Sequence, residues 1–450
     1  MEERNRQTPT VPGNGETVES KLMRIADKAR KDSKLRFTSL FHLMNETHLR
    51  GCYAALRKDA AAGIDKLTKE EYGKELDENL IQLVNKLHRM SYRPQPARRT
   101  YIPKAGSDKM RPLGIPALED KIVQSGLKRI IEAIYEQDFI NDSYGFRPGR
   151  RQHDALKELG RAVERNRTNY IVEADIKGFF DNVDHDWMMK CLEHRIADTK
   201  VLRMVKRFLK AGIMEDGEFK ESDSGTPQGG IISPLLANIY LHYVLDIWFE
   251  RVFKKTCYGY AKIIRYCDDF VVCFESKASA ERFMSALTER LGKFSLEVEP
   301  TKTKLLEFGK FAQRDAAKRG KLPETFDFLG FTHYCSRTLD GKRFRVKRKT
   351  AQKKFNAKLK EFKEFLKESR TMKTSELMKK VQAKLRGHYQ YYGVSDNSKS
   401  IGCYCYEVEK LLHKWLNRRG KRKCMNWEKF RLLKERFPLP RPKIYVSLFV

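Results

Sequence analysis

No stretch of the chain stays apolar for the about 18 consecutive residues that a membrane-spanning helix needs. Met1–Gly15 is polar and lacks the apolar core of a secretory signal. The sequence therefore reads as a soluble protein of the cytosol with no membrane partner. Zinc-ligand spacing is missing as well. The nine cysteines include no Cys-x-x-Cys, and no His follows Cys403-x-Cys405 at finger spacing. That excludes a structural zinc and leaves reduced thiols. Acidic residues are too few to balance the basic ones. Asp and Glu number 59 against 91 Lys and Arg, a net +32 that calls for a polyanionic partner. The excess is uneven. Gly341–Val450 holds 32 Lys and Arg against 9 Asp and Glu, so this last quarter carries +23.

What is present divides a 450-residue chain into roughly three domains. Met1 to about Lys31 reads as a polar, mobile tail with a basic helix starting near Ser20. Apolar residues at helical spacing predict one or two helices over 36–57 and another from Leu76 to Leu87. Arg98–Lys104 and Arg111–Pro116 read as a hairpin with Lys104 and Arg111 near its tip. Two cations there suit a triphosphate, although exposed charges on a ribbon are also commonplace. A helix over 120–139 leads into Asp142–Arg151, a Gly- and Pro-rich turn. Tyr144, Phe146, Arg147, Arg150 and Arg151 give it stacking and phosphate-binding capacity.

The chemistry-bearing stretches follow. A strand from Tyr170 delivers Asp175 at its end, and Gly178 permits a sharp turn. Ser224–Ile232 is a Gly-rich loop entering a helix with Pro234 in its first turn. It lacks the Lys-Ser/Thr of a Walker loop. Ala261–Tyr266 and Phe270–Phe274 read as two strands joined so tightly that Asp268 and Asp269 sit at the hairpin tip. Adjacent carboxylates repel unless a cation neutralises them, and hard oxygen ligands suit Mg²⁺. Taken alone, an Asp-Asp pair is more often a solvated turn.

Asp175, Gln228-Gly229-x-x-x-Ser233-Pro234 and Tyr266-x-Asp268-Asp269 come in an order and at a spacing that resemble the palm of reverse transcriptases. The flanking blocks resemble one branch, the bacterial group II intron reverse transcriptase/maturases. They are Arg111–Pro116, Tyr144–Pro148, Asp175–Asp181, Thr226–Gly230, Phe328–Phe331 and Leu385–Gly393. The resemblance covers about residues 35 to 435.

It implies an α+β right-hand polymerase. The order would be a basic tail (1–34), N-terminal extension and fingers with the start of the palm (35–170), palm (171–340), helical thumb or maturase domain (341–420) and a short basic segment (421–450). No endonuclease domain is expected. It implies catalytic Asp175, Asp268 and Asp269, which with the Ile176 backbone would hold two Mg²⁺ ions. Lys104, Arg111, Phe180, Gln228, Gly229 and Lys302 would bind the incoming nucleotide. Phe180 would exclude a ribose 2′-OH, and Lys302 would protonate pyrophosphate. A core Phe and a surface Lys are the plain alternatives. Phe328, Leu329 and Gly330 would grip the primer. Arg147, Arg150, Arg151, Arg386, Tyr389 and Tyr391 would meet RNA.

The implied activity is RNA-directed DNA synthesis by a protein that also helps its own intron RNA splice and move. The implied partners are RNA template, intron RNA, a DNA or RNA primer, dNTPs and target DNA; no oligomeric state is assigned. Two other readings stay open: an RNA-binding splicing cofactor with incidental polymerase activity, and a domesticated reverse transcriptase in DNA repair or phage defence. Three intact carboxylates favour the polymerase.

Overall fold

A computed structural model describes residues 17–103, 110–226, 228–338, 340–419 and 425–449. Helix α1 (Val18–Lys31) is capped by Thr17, whose Oγ1 accepts the Ser20 N–H at 3.2 Å. The buried Arg195 closes its other end, donating to the carbonyls of Ala29 at 2.9 Å and Asp32 at 2.8 Å. The expected mobile tail is therefore a docked helix from residue 17 on; residues 1–16 lie outside the described residues.

Helices α2 (Glu46–Ala55), α3 (Lys69–Tyr72) and α4 (Leu76–His88) follow. They bury Leu49, Leu80, Leu83 and Leu87, the positions that the helical period singles out. The basic ribbon forms as expected: β1 (Ala97–Pro103) pairs antiparallel with β2 (Met110–Ile115). Next come α5 (Leu118–Tyr135), α6 (Gln152–Arg165), β3 (Tyr170–Ala174), α7 (His185–Glu193) and α8 (Thr199–Leu209). β4 (Ile213–Glu215) joins β1 in parallel and pairs with β5 (Glu218–Lys220), giving the order β2-β1-β4-β5.

α9 (Ser233–Leu241) has Pro234 in its first turn and runs through a π-helical turn, His242–Asp246, into α10 (Ile247–Arg251). β6 (Ala261–Tyr266), β7 (Asp269–Phe274) and β8 (Lys304–Glu307), with α11 (Lys277–Gly292) between the last two, complete an antiparallel sheet ordered β6-β7-β3-β8. Both faces of this sheet are covered. The two-residue alternation sends Val172, Ile263, Phe270 and Val272 into a core shared with α5, α9 and α11. It sends Ile171, Ile264, Val271 and Cys273 into a second core with α6 and the C-terminal helices. That is why these strands read as unbroken apolar runs.

After α12 (Ala312–Lys318), a second antiparallel sheet forms from β9 (Thr325–Phe328), β10 (Phe331–Arg337) and β11 (Phe344–Thr350). The boundary expected at residue 341 falls inside it, because β11 pairs with β10 from Phe331↔Thr350 to Arg337↔Phe344. The three expected long helices start only at residue 352: α13 (Gln352–Glu368), α14 (Thr374–Tyr392) and α15 (Ser398–Asn417). α16 (Trp427–Arg436) docks through buried Phe430 and by stacking Trp427 on His413 at 3.9 Å. Val446 then returns to bridge Val394. Among the described residues no helix is long and apolar enough to cross a membrane.

Candidate active site and nucleic-acid cleft

The β6–β7 hairpin closes at the pair Tyr266↔Asp269, leaving Cys267 and Asp268 as a two-residue turn. Cys267 has φ +59°, the left-handed sign that the tightest hairpin loops demand. Asp269 is thus the first residue of β7, and Asp268 alone lies at the tip. β3 pairs with β7 as far as Ala174↔Phe270, so Asp175 emerges beside Asp269.

The three carboxylates feel one another. Desolvation, then the like charges of Asp268 and Asp175, raise the pKa of Asp269 to about 6, against the opposing pull of Lys354 and Lys302. Asp269 keeps its access to solvent even so, as a group at the mouth of a cleft does. Lys302 donates to Asp175 Oδ2, which holds the lysine pKa above its usual value. Glu173 shares the face of β3 with Asp175. Desolvation and then Asp327 push it up to about 7.

Backbone geometry adds another oxygen. Ile176 bridges Val298 through the flanking bonds Glu299 N–H to Asp175 O (2.8 Å) and Lys177 N–H to Glu297 O (2.9 Å). The Ile176 carbonyl therefore points away from Val298. Among the described residues no three His, Cys, Asp or Glu side chains close on a common metal position. The donor set is nevertheless all oxygen and anionic. It fits Mg²⁺, which habitually takes one or two carboxylates and fills its remaining positions with water and phosphate.

The turn is braced from behind by buried charge. Arg265 is fully buried and forks onto Asp246, with Nε to Oδ1 at 2.7 Å and a second nitrogen to Oδ2 at 2.6 Å. Its remaining nitrogen reaches Asn238 Oδ1 at 3.0 Å and the Cys267 carbonyl at 2.8 Å. Asn238 in turn donates to the Gly145 carbonyl at 2.6 Å. Gly145 must be glycine, since a Cβ would lie 2.4 Å from the Cys267 nitrogen.

The Gly-rich loop closes the other wall. Gly114 N–H donates to Gln228 O at 2.6 Å, and a Cβ on Gly229 (φ +112°) would strike Gly114 O at 2.5 Å. Thr226 N–H donates to Phe180 O at 2.7 Å, and Gln228 Nε2 to Asp181 Oδ1 at 3.4 Å. Phe179 is buried, whereas Phe180 is only half-buried and meets it edge-on at 5.3 Å. The structure thus brings Phe180, Gln228, Gly229 and the β1–β2 ribbon together. Arg111 is exposed on β2; Lys104 lies outside the described residues.

Phe328, Leu329 and Gly330 form the β9–β10 turn, with φ +48° at Leu329 and +81° at Gly330. Tyr391 Oη donates to Leu329 O at 3.1 Å, and Ala351 N–H to Gly330 O at 3.0 Å. The Tyr391 hydroxyl is therefore engaged by the turn itself, while its ring is half-buried.

Two further expectations need correction. Arg147 is buried: it binds Glu136 and the carbonyls of Ile140 and Ser143, both at 2.7 Å, and so stitches its own loop. Tyr389 is fully buried in the second core. Neither presents a surface to RNA. Arg150 lies over Tyr144 at 5.5 Å, while Arg151 and Arg386 are exposed. The sequence reading missed the bracing set Arg265, Asp246 and Asn238. The signal was there: a charge inside each of two apolar runs, Ile263-Ile264-Arg265 and Val244-Leu245-Asp246-Ile247.

Comparison with known proteins decides the family. Residues 102–333, just over half of the 450, match the family model described as reverse transcriptase (RNA-dependent DNA polymerase). The chain belongs to the reverse transcriptase family. Residues 352–433 match the model described as group II intron, maturase-specific domain. The chain is 40% identical over 222 residues to the group II intron-encoded protein LtrA of Lactococcus lactis subsp. cremoris, covering 49% of this chain and 37% of that protein. It is 36% identical over 235 residues to protein YkfC of Escherichia coli, covering 51% and 61%. A shorter match, 34% over 97 residues, is to nuclear intron maturase 1, mitochondrial, of Arabidopsis thaliana, covering 21% and 13%. The matched region is thus less than two thirds of each of these relatives.

Proposed function

We propose that this chain copies RNA into DNA and binds its own group II intron RNA to assist splicing and mobility. The observation that carries the reading is Asp175 emerging beside the Asp268–Asp269 turn, with Phe180 and Gln228 on one wall. The two relatives that are named as intron-encoded protein and intron maturase support the RNA partner. The α+β architecture supports a right hand: the β1–β2 ribbon as fingers, the β6-β7-β3-β8 sheet as palm, and α13–α15 as thumb.

In this reading Asp175 and Asp268, with the Ile176 carbonyl, hold two Mg²⁺ ions, and Asp269 supports them from the wall of the cleft. When bound, the metal lowers the pKa of the primer 3′-OH and neutralises the leaving pyrophosphate. The protein contributes positioning and fixed charge. Arg111 and Lys104 hold the triphosphate, and Gln228 and Gly229 line the nucleotide pocket. Phe180 lies under the sugar and leaves no room for a 2′-OH. Lys302, already paired with Asp175, carries a proton to pyrophosphate. The Phe328–Gly330 turn holds the primer. Half-buried Arg150 and exposed Arg151 and Arg386 bind RNA phosphates. The primer is DNA or RNA, target DNA is the site of insertion, and the setting is the bacterial cytosol.

The test is extension of a primer on an RNA template with Mg²⁺, offering dNTPs or rNTPs, alongside a splicing assay of the parent intron. DNA product together with faster splicing supports both halves of the reading. Tight RNA binding and splicing without any product would leave a splicing cofactor instead.

A further inference from the structure

Helix α14 carries a residue that helix formation disfavours. Gly387 sits in its interior, where only proline is worse. A Cβ built there meets no atom within 4 Å, so nothing in the protein forbids a side chain. Gly387 lines a cavity of about 400 Å³ between α13, α14 and α15, a size within the roughly 300–1,000 Å³ typical of small-ligand sites. His388, Tyr391, Tyr392 and Tyr404 also line it, with Lys384 and the ion pair of Lys358 and Glu361 (2.8 Å) on the solvent side, so that a phosphate would take Lys358 from Glu361.

His388 is only 8% exposed, and its Nε2 has no hydrogen-bond partner. Its ring lies flat on Tyr404 at 3.6 Å and meets Tyr392 at 4.7 Å. Burial, then the charge of Lys358, lowers its pKa to about 3. It is therefore a neutral imidazole with one unpaired ring nitrogen. Lys358 follows Lys354 by one helical turn, and Lys354 is one of the two lysines whose charge reaches Asp269. The cavity accordingly adjoins the catalytic cleft and, through Tyr391 and Leu329, the β9–β10 turn.

We propose that this cavity receives a single unstacked nucleobase, with Lys358 and Lys384 holding the adjoining phosphate. Flat aromatic walls accept any base through its π-face. A small turn of the His388 ring would bring its unpaired, solvent-shielded Nε2 to the base edge. The missing side chain at 387 lets the sugar-phosphate approach the helix closely. The inference rests on the reading that α13–α15 hold nucleic acid. The base is either an extruded nucleotide of the bound strand or a free nucleotide; the chemistry is the same.

The experiment uses the full chain and three probes: a paired primer–template, the same duplex with one unpaired 2-aminopurine in the primer strand a few positions behind the 3′ end, and AMP alone. The variants are Gly387→Leu, which fills the cavity, and Lys358→Gln on its open side. Gly402→Ala is the control, because Gly402 of α15 also has open space around it but does not line the cavity. Wild type and Gly402→Ala are expected to prefer the unpaired duplex at least tenfold, with quenched 2-aminopurine fluorescence, and both cavity variants to lose that preference. Saturable AMP binding lost in both cavity variants, without the duplex preference, supports the pocket and makes its occupant a free nucleotide. No preference and no AMP binding in wild type, or a preference that survives in both cavity variants, overturns the proposal. Extension of the paired duplex is read in the same tubes. Its absence in wild type counts against the polymerase, while intact extension with an indifferent cavity counts against the pocket alone.

Discussion

Arg265 and Asp246 form a two-point ion pair without solvent access, directly behind the turn that carries Asp268. Breaking a buried pair by removing one partner typically costs about 3–5 kcal/mol, because the other charge is stranded. Asp246→Asn keeps the shape but removes the counter-charge. Urea unfolding is expected to show a loss at the low end of that range. Arg265→Lys keeps the charge and loses the fork that also holds the Cys267 carbonyl. It is expected to lower the rate of nucleotide addition at saturating dNTP more than it raises KM.

Gly145→Ala probes the same brace from its other side. A methyl group would meet the Cys267 nitrogen at 2.4 Å and push the turn outward. Displacement of a reacting group by about 1 Å costs on the order of 100-fold in rate. Extension is expected to fall by about that factor while circular dichroism and RNA binding stay near wild type. Normal extension would show that the turn tolerates the shift.

Phe180 is half-buried over the core residue Phe179 and faces the Gly-rich loop. Phe180→Val should admit a 2′-OH. The ratio of kcat/KM for dNTP to that for rNTP is expected to drop by about 10- to 100-fold, roughly the 1–3 kcal/mol that pocket shape supplies. A ratio that does not move would make Phe180 a packing residue only.

His388 gives a pH signature. Its folded pKa is about 3, against roughly 6.5 in an unfolded chain. Between those values the unfolded state binds the extra proton, so stability present above about pH 6.5 is lost as pH falls toward 4. Asp120 runs the other way: burial raises it to about 7, so its contribution to stability grows as pH falls from 7. The two are separated by comparing wild type with His388→Asn. The unfolding free-energy difference between them is expected to shift against wild type by up to about 1.4 kcal/mol per pH unit below 6.5. A constant difference between pH 7 and pH 4.5 would contradict the assignment.

The hairpins and long helices were legible because short apolar runs bounded by turn residues and the 3.6-residue period act locally. Asp175, Asp268 and Asp269 were legible because their neighbours in sequence are also the strands that place them. Arg147 and Tyr389 were misjudged for a physical reason. The same guanidinium or phenol serves a surface or an interior, and only the folded chain shows that Glu136 and the Ile140 carbonyl already claim Arg147. Gly145 was visible as a turn residue, but its need to be glycine comes from Cys267, far along the chain. The helix at residues 18–31 was half read: a basic helix from near Ser20 was expected, while its anchor Arg195 lay beyond any local window.

The most direct measurement is single-turnover addition of one dNTP to a primer on an RNA template, comparing wild type with Asp268→Ala at saturating Mg²⁺. RNA affinity is measured on the same samples. Wild type should add the nucleotide. Asp268→Ala should be slower by at least about 1,000-fold with RNA affinity changed less than about twofold, a loss of roughly 4 kcal/mol in the barrier alone. Comparable rates in the two proteins would remove Asp268 from the chemistry and contradict the account.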